Sequence, residues 1–401
     1  MTRSDAVDGT SSSTSVVRLR LMNYRSIRQC DVALGRLTFL VGPNGAGKSN
    51  FLDALHLVAD ALTTSLDQAV RQRGGYSYIR RRSTGKRETV RLDLDLRLLD
   101  AAASYEIEMA GTDGGRFEVV REQCSVAPSG PDGPTAWFRM QNGKVDSSEP
   151  ILPAPPPGRL YLVTAANLPA FEAIFDALSR MGFYNLNPDS IRDLQTPDTG
   201  ELLARDGRNA ASVLQRMAQE APGAKKTVEE YLSVIVPGVI GVDRETLGPR
   251  ETLRFRQAVP ESPIDWRFNA QSMSDGTLRA LGVLLAALQR SERGGDLALV
   301  GIEEPEAAVH PAAAAVLRDA LVEASQSRQI IVTTHSPELL DDPDLDPTAV
   351  LSVDAPAGET LIGRPDRAGL SALRDRLYTA GELLRIGQLM PDVDIRGPVE
   401  P

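Results

Sequence analysis

Short apolar runs that end in polar residues recur along the chain. The runs at 37–41, 297–302 and 330–334 have the length of a buried strand, and each is followed by glycine, carboxylates or histidine. Continuous apolar runs of this length are typical of central parallel strands, because helices cover both faces of such sheets. Helical patterns at 49–62 and 278–289 lie beside two of these runs. The pattern predicts an α/β protein, and 401 residues with 42% hydrophobic content can bury a large core.

A second pattern, strict alternation, begins after the first helix. Between residues 89 and 98, apolar residues at even positions alternate with charged residues at odd positions, which predicts a half-buried strand. The runs at 105–109 and 117–120 flank Thr-Asp-Gly-Gly at 112–115, which is a hairpin signal. Together these segments predict an antiparallel β flank.

Composition and pattern divide the chain into five parts. Residues 1–15 are polar and rich in Ser and Thr, which predicts a disordered tail, and 16–126 hold the first strands, the first helix and the β flank. Residues 127–158 carry eight prolines and predict a linker or rigid loop. Helical patterns at 168–181, 209–220 and 225–236 predict a helical lobe with connecting strands over 159–268. Residues 269–401 complete the core.

The segment from Gly42 to Ser49 fits the P-loop pattern of glycine, four residues and Gly-Lys-Ser. Glycines let successive N–H groups face phosphates, and the new helix adds its positive dipole end. Lys48 is expected to reach the β- and γ-phosphates, and the Ser49 hydroxyl to hold magnesium. The alternative is a glycine-rich turn before an ordinary helix, but such a turn requires neither Lys48 nor Ser49. The expected nucleotide contacts are Gly42, Pro43, Asn44, Gly45, Ala46, Gly47, Lys48, Ser49 and Asn50.

Two carboxylates follow the strand at 297–302, where ligands bind in open α/β sheets. Glu303 is expected to contact magnesium, and Glu304 to orient or deprotonate the attacking water. A solvated acidic turn is the alternative, since Glu306 lies in the same stretch.

Ser-Asp-Gly-Thr at 274–277 opens the apolar helix at 278–289, so that Ser274 and Gly276 lie at a helix N-terminus, which attracts phosphate. A serine N-cap with an acidic first turn explains the same residues. His335 follows the strand at 330–334, where it could hydrogen-bond a γ-phosphate; a structural histidine is the alternative.

These segments resemble the ATP-binding-cassette head of the SMC, RecF and RecN group, in particular the compact bacterial ATPases often labelled AAA-family. The Asn-Tyr-Arg-Ser step at 23–26, Glu-Glu-Pro-Glu at 303–306 and Thr-His-Ser-Pro at 334–337 carry the resemblance. It implies a P-loop NTPase fold: an ABC-type head with a mixed central sheet, an antiparallel β flank and an inserted helical lobe. It also implies Mg-ATP as ligand, ATP hydrolysis with Lys48, Glu304 and His335 as catalytic residues, and a nucleotide contact from Arg25.

In such heads the ATP site is shared between two protomers. The resemblance therefore implies a head-to-tail homodimer joined by ATP, in which Ser274 and Gly276 contact the γ-phosphate of the partner's nucleotide. Residues 307–310 would cross the dimer axis. The chain departs from transporter cassettes at Asp275, Thr277 and Glu303, and has His310 where an aspartate is frequent. Gln195 is a candidate for the magnesium-sensing glutamine.

Charge and cysteine content narrow the class of protein. The net charge is −10 and the pI about 5.1, so the surface as a whole does not attract nucleic acid. No apolar run approaches 18 residues, which predicts no membrane span, and the polar start lacks a secretory signal. Cys30 and Cys124 are isolated, so we expect a reducing cytoplasm.

One basic cluster is a candidate DNA contact, because arginines can bind phosphates while tyrosines stack on bases. A solvated loop is the alternative. The cluster spans seventeen residues, with Tyr76 and Tyr78 interleaved, and its basic members are Arg71, Arg73, Arg80, Arg81, Arg82, Lys86 and Arg87.

Three functions fit these patterns. The first is an ATP-gated dimeric switch acting on DNA in repair, chromosome maintenance or phage defence, alone or with a nuclease or other effector protein. The second is a nucleotide switch for a protein partner, and the third is a transporter ATPase subunit, which the departures at Asp275, Thr277 and Glu303 disfavour.

Overall fold

A computed structural model describes residues 14–82, 89–130, 133–156, 158–259, 264–290 and 297–392. Its strands are β1 (Ser15–Tyr24), β2 (Ile27–Ala33), β3 (Leu37–Val41), β4 (Val90–Arg97), β5 (Ala101–Gly111), β6 (Phe117–Pro128), β7 (Ala136–Gln141), β8 (Lys144–Ser147), β9 (Met181–Tyr184), β10 (Val239–Leu247), β11 (Arg250–Gln257), β12 (Trp266–Asn269), β13 (Leu299–Glu303), β14 (Gln329–Thr334), β15 (Val350–Asp354) and β16 (Leu361–Gly363). Its helices are α1 (Lys48–Thr63), α2 (Leu66–Gln72), α3 (Tyr76–Ile79), α4 (Leu162–Ala165), α5 (Pro169–Ser179), α6 (Pro188–Arg192), α7 (Ala210–Glu220), α8 (Pro222–Ile235), α9 (Asp275–Leu288), α10 (Pro311–Ser325), α11 (Arg367–Arg374) and α12 (Ala380–Arg385).

The central sheet has the strand order β16-β15-β3-β14-β13-β9 and is parallel except at β16. Successive residues of its inner strands face two different cores. Leu40 and Ile331 pack on one side with α1 and α5, whereas Phe39 and Val332 pack on the other side with α7 to α10. Because both faces are covered, these strands are the continuous apolar runs of the sequence.

The β flank is a seven-stranded antiparallel sheet of order β2-β1-β4-β5-β6-β7-β8. The alternation predicted for 89–98 is confirmed: in β4, Leu92 and Leu94 are buried while Arg91 and Asp93 are only partly so. The predicted hairpin is also confirmed, since β5 and β6 pair across the turn at 112–115.

The predicted loop over 127–158 is wrong in its middle. β6 continues to Pro128, and β7 and β8 form a hairpin that extends the flank, with Asn142 and Gly143 at positive φ in the turn. The reason is that the eight prolines lie only at the two ends of the segment. Between them, Ala136, Phe138 and Met140 alternate as buried residues, and Asn-Gly is a strong hairpin signal that outweighs the composition.

The part at 159–268 combines helices α4 to α8 with a three-stranded antiparallel sheet, β10-β11-β12. It also supplies β9, which pairs with β13 at the edge of the central sheet. The predicted tail lies mostly outside the described residues, but Ser15 already pairs with Arg97 as the first residue of β1. None of the helices in the described part of the chain combines the length and apolar character needed to cross a membrane.

Candidate nucleotide-binding site

The loop between β3 and α1 is shaped by two glycines that have no room for a side chain. A Cβ on Gly42 would lie 2.0 Å from the Val353 carbonyl oxygen, and one on Gly47 would lie 2.1 Å from Thr360 Oγ1. Gly47 also has φ 100°, in the left-handed region that favours glycine, and it is the N-cap of α1. The loop therefore turns sharply into the helix, with the first N–H groups of α1 left for an anion.

Lys48 lies inside this loop. Its Nζ donates to the carbonyl oxygens of Gly42 at 2.8 Å and Pro43 at 2.9 Å. Burial lowers the pKa of Lys48, and the nearby carboxylates Glu304 and Glu306 oppose that shift. The structure thus holds a buried cation at the phosphate loop.

A hydrogen-bond cluster that the motifs did not predict supports the loop from behind. Thr360, 1% exposed, donates through Oγ1 to the Ala46 carbonyl at 2.8 Å. The same Oγ1 lies 2.6 Å from Ser26 Oγ, which accepts from Asn50 Nδ2 at 2.7 Å. Because Thr360 lies 314 residues from Ala46, no local pattern could have identified it.

The Glu303-Glu304 pair lies at the end of β13, as the sequence predicts. Glu304 has φ 44°, and its N–H donates to the Thr333 carbonyl at 2.9 Å. The Arg279 guanidinium donates to the Glu304 carbonyl at 2.9 Å and to the Glu303 carbonyl at 3.2 Å. Burial lowers the pKa of Arg279, and the neighbouring carboxylates oppose that shift. Arg279 thus fixes the backbone from which both carboxylates project.

His335 lies beside these carboxylates. Its Nδ1 is 3.4 Å from Glu304 Oε1 and 3.8 Å from Glu306 Oε1. Glu306 is anchored in turn, because its Oε1 accepts from Thr334 Oγ1 at 2.6 Å. Gly42 N–H donates to the Thr334 carbonyl at 3.4 Å, so the phosphate loop, the carboxylates and the histidine meet at one sheet edge.

The Ser274 turn lies at the start of α9. Ser274 Oγ accepts from the Thr277 N–H at 3.2 Å, which is the N-cap of the alternative interpretation. Gly276 packs on the 307–310 segment: a Cβ there would lie 2.4 Å from the Ala308 carbonyl oxygen. His310 is the N-cap of α10. Within one chain, the structure therefore links the turn to the 307–310 segment.

Two predicted contacts have other partners in this structure. Gln195 is 3% exposed, and its amide donates to the Ile191 carbonyl at 3.0 Å and accepts from the Ala211 N–H at 2.9 Å. This assigns Gln195 a structural role and makes its interpretation as a magnesium sensor wrong. Arg25, at φ 50°, forms an ion pair with Asp53 at 2.8 Å.

The described members of the basic cluster do not form one surface. The Arg73 side chain is 6% exposed and forms ion pairs with Asp53 and Asp60, both at 2.8 Å. Arg73 is therefore a structural residue and is wrongly included among the DNA contacts. Arg71 is exposed and pairs with Asp67 within α2. Lys86 and Arg87 lie outside the described residues.

The remaining members, Arg80 to Arg82, line a cavity of about 730 Å³ that also includes Arg25 and Arg28. Ser26 and Asn50, which belong to the cluster behind the phosphate loop, lie in the same wall. Arg81 pairs with Glu359 at 2.9 Å. The structure thus brings the predicted nucleotide contact Arg25 and the predicted DNA contacts Arg80 to Arg82 to one basic cavity.

The comparisons with known proteins agree with this geometry. A family model described as "AAA domain, putative AbiEii toxin, Type IV TA system" matches residues 37–119 and 264–341, which contain the phosphate loop, both carboxylates and His335. The DNA replication and repair protein RecF of Deinococcus deserti is 29% identical over 136 residues, 33% of this chain and 33% of RecF. The OLD nuclease of Thermus scotoductus is 47% identical over 49 residues, 12% of this chain and 9% of the nuclease. The matched parts are thus a third or less of these relatives.

Among solved structures, the Smc head domain with an extended coiled coil, bound to the C-terminal domain of ScpA and derived from Pyrococcus furiosus, has a TM-score of 0.53 at 11% identity. The match covers 91% of this chain and 99% of the Smc head chain. The fold and the loop define an ABC-type P-loop NTPase, which confirms the predicted fold class. Within that class the chain resembles the ATPases of the SMC and RecF group, as the motifs indicated.

Proposed function

We propose that the chain is a Mg-ATP-hydrolysing ATPase that joins into an ATP-gated dimer and acts on DNA. One observation carries the proposal. Strands β3, β14 and β13 are neighbours, and their carboxyl ends bring together the phosphate loop with Lys48, His335 and the Glu303-Glu304 pair. In open α/β sheets this edge is where ligands bind.

The residues present fit Mg-ATP. A glycine loop that turns into the start of a helix, with a buried lysine inside it, suits a polyphosphate. Ser49 is the second residue of α1 and Glu303 is the last residue of β13, and their hydroxyl and carboxylate are oxygen ligands of the kind that magnesium prefers. When bound, magnesium would offset the charge on the β- and γ-phosphates.

The chain's own groups then divide the chemistry of phosphoryl transfer. Lys48 releases the two loop carbonyls and donates to phosphate oxygens, so that it neutralises part of their charge. Glu304 orients the attacking water and accepts its proton. His335, at 3.4 Å, holds the Glu304 carboxylate in place and can itself donate to the γ-phosphate.

The dimer is proposed because the Ser274 turn lies at the start of a long helix and packs, within its own chain, on the 307–310 segment. Ser274 and Gly276 lie at the N-terminus of α9, an anion-attracting position. In the dimer, this turn would face the γ-phosphate bound by the partner, and residues 307–310 would cross the axis.

DNA is proposed as the substrate because the matched relative RecF is a DNA replication and repair protein, and because Arg80 and Arg82 line a basic cavity on an otherwise acidic chain. A nuclease or other effector partner is part of the proposal on the strength of the OLD nuclease match. The arginines would bind DNA through its phosphates, so that affinity falls with salt.

The test is the mass in solution of Glu304→Gln, with and without Mg-ATP, repeated with duplex and single-stranded DNA. The proposal predicts an ATP-dependent dimer that retains DNA. Ser274→Arg in the same background should block the dimer while ATP still binds, whereas Ser371→Arg on α11 should not. No dimer would contradict the shared site, and a dimer that ignores DNA would overturn the DNA assignment alone.

A further inference from the structure

The magnesium candidate Glu303 already has a counter-ion. Arg205 Nη2 lies 3.0 Å from Glu303 Oε1. The Glu303 side chain is 17% exposed and that of Arg205 is 48% exposed, so the pair lies at the rim of the site. Among the described residues, Arg205 is the only cation in an ion pair with Glu303.

A well-anchored loop presents this arginine. The Arg205 carbonyl accepts from the Asn185 N–H at 3.0 Å, directly after β9. The Leu203 N–H donates to Gln289 Oε1 at 3.0 Å, at the end of α9, and the Ala204 N–H donates to Asn209 Oδ1 at 2.7 Å. The backbone around Arg205 is therefore fixed on both sides, and the guanidinium reaches Glu303 from the lobe.

The same guanidinium also contacts the helix that carries Lys48 and Ser49. Arg205 Nη1 lies 3.3 Å from His56 Nδ1 on α1, and His56 Nε2 lies 3.2 Å from Asp60 Oδ1. Arg205 thus joins three parts of the molecule: the lobe, the phosphate-loop helix and the magnesium-site strand. One of its contacts, Glu303, is the proposed magnesium ligand.

We infer that Arg205 is a resident counter-ion that competes with magnesium for Glu303; this rests on the proposed Mg-ATP site. A carboxylate oxygen bonded to a guanidinium is less available to a cation, and the positive charge nearby repels a divalent ion. Glu303 would therefore exchange the Arg205 guanidinium for the metal ion on magnesium binding, and Arg205 would be released. Because Arg205 belongs to the lobe, the lobe senses whether the metal is bound.

An ordinary salt bridge between two elements would behave differently. Its loss would lower stability by a small amount and leave the magnesium dependence of nucleotide binding unchanged. Competition predicts the opposite: removal of the guanidinium makes Glu303 a better ligand. The expected gain is about five-fold in magnesium affinity, the size of a partly exposed ion pair.

The test is equilibrium binding of a fluorescent, non-hydrolysable ATP analogue at fixed concentration while free Mg²⁺ is varied. Arg205→Gln should lower the midpoint of the Mg²⁺ titration about five-fold, and Arg205→Lys should remain within about two-fold of the wild type. Arg208→Gln is the matched control, because Arg208 is 70% exposed in the same loop and pairs only with Asp206 among the described residues. Its midpoint should not change.

Thermal unfolding first shows that each variant is folded. Only then are the midpoints of the Mg²⁺ titrations compared. A midpoint for Arg205→Gln equal to or higher than that of the wild type overturns the inference and leaves the proposed ATPase intact. A wild-type protein that shows no Mg²⁺-dependent binding of the analogue overturns the proposed function, and this inference with it. The two failures are therefore distinguishable.

Discussion

Local sequence determines where charged residues lie at the carboxyl edge of the parallel sheet. In the basic segment at 71–82, their long-range partners determine this instead. At the sheet edge, Lys48 and Glu304 lie where their local motifs place them: Glu304 directly follows β13, and Lys48 begins α1 after the glycine loop that follows β3. In the basic segment, Arg71 and Arg73 are two residues apart, yet one is exposed and the other is buried between two carboxylates. Local sequence predicts position in the first region and not in the second.

The physical reason is the range of the contacts. The position of a glycine loop or of carboxylates that follow a parallel strand is set locally, because the carboxyl ends of parallel strands lie together at one edge of the sheet. The role of an arginine depends instead on its partners. Those of Arg73, Asp53 and Asp60, lie on another helix.

The largest expected effect lies at the sheet edge. Lys48→Ala should weaken ATP binding on the order of 100-fold, because it removes charge-assisted hydrogen bonds to the phosphates. Isothermal titration calorimetry measures this, with Lys144→Ala on exposed β8 as the control. ATP binding at wild-type affinity would mean that the loop is only a glycine-rich turn.

In the basic segment, the two neighbouring arginines should differ clearly in their effect on stability. Arg73→Ala should lower the free energy of unfolding by ~2 kcal/mol, because it removes a buried cation that pairs with two partly buried carboxylates, although Asp53 keeps Arg25 and Asp60 keeps its contact with His56. Arg71→Ala should change it by less than ~0.5 kcal/mol. Urea unfolding measures both, and equal effects would contradict the separation of the two arginines.

A buried carboxyl in the flank gives a pH-dependent effect. Burial raises the pKa of Glu122 to about 7, although the N–H groups of Tyr161 and Leu162 and the Tyr105 hydroxyl donate to it and oppose the rise. A carboxyl with a raised folded-state pKa stabilises the fold at low pH and loses that contribution as the pH rises.

The free energy of unfolding should therefore fall by ~1–2 kcal/mol between pH 5 and pH 8. In Glu122→Gln this decline should be shallower, whatever the variant's stability at a single pH. Urea unfolding at several pH values measures the slope. Parallel declines in the two proteins would show that other groups cause the dependence.

The smallest expected effect lies behind the phosphate loop. Thr360→Val keeps the shape of the side chain but removes its hydrogen bond to the Ala46 carbonyl, which is worth about 1 kcal/mol. ATP affinity should fall about five-fold while the thermal midpoint changes little. Thr348→Val at an exposed position is the control. An unchanged ATP affinity would show that Thr360 does not support the loop.

The difference between local and long-range contacts also explains which features of the fold and the site the sequence predicts. The parallel strands, the alternation in β4 and the residues Lys48, Glu303, Glu304 and His335 are predictable, because period, strand ends and glycine spacing are local. Thr360 and Arg205 are not, since their partners lie 314 and 98 residues away. The β7–β8 hairpin was missed for another reason: its Asn-Gly turn is a local signal, but the surrounding prolines dominated the composition.

The central claim is that Glu304 performs the chemistry at a site that Lys48 and its loop assemble. The most direct measurement compares ATP affinity and single-turnover hydrolysis of the wild type and Glu304→Gln, both with magnesium. We predict affinities within about two-fold and a hydrolysis rate at least ~100-fold lower in the variant, as expected when a general base is lost. Hydrolysis within a few-fold of the wild type would contradict the assignment.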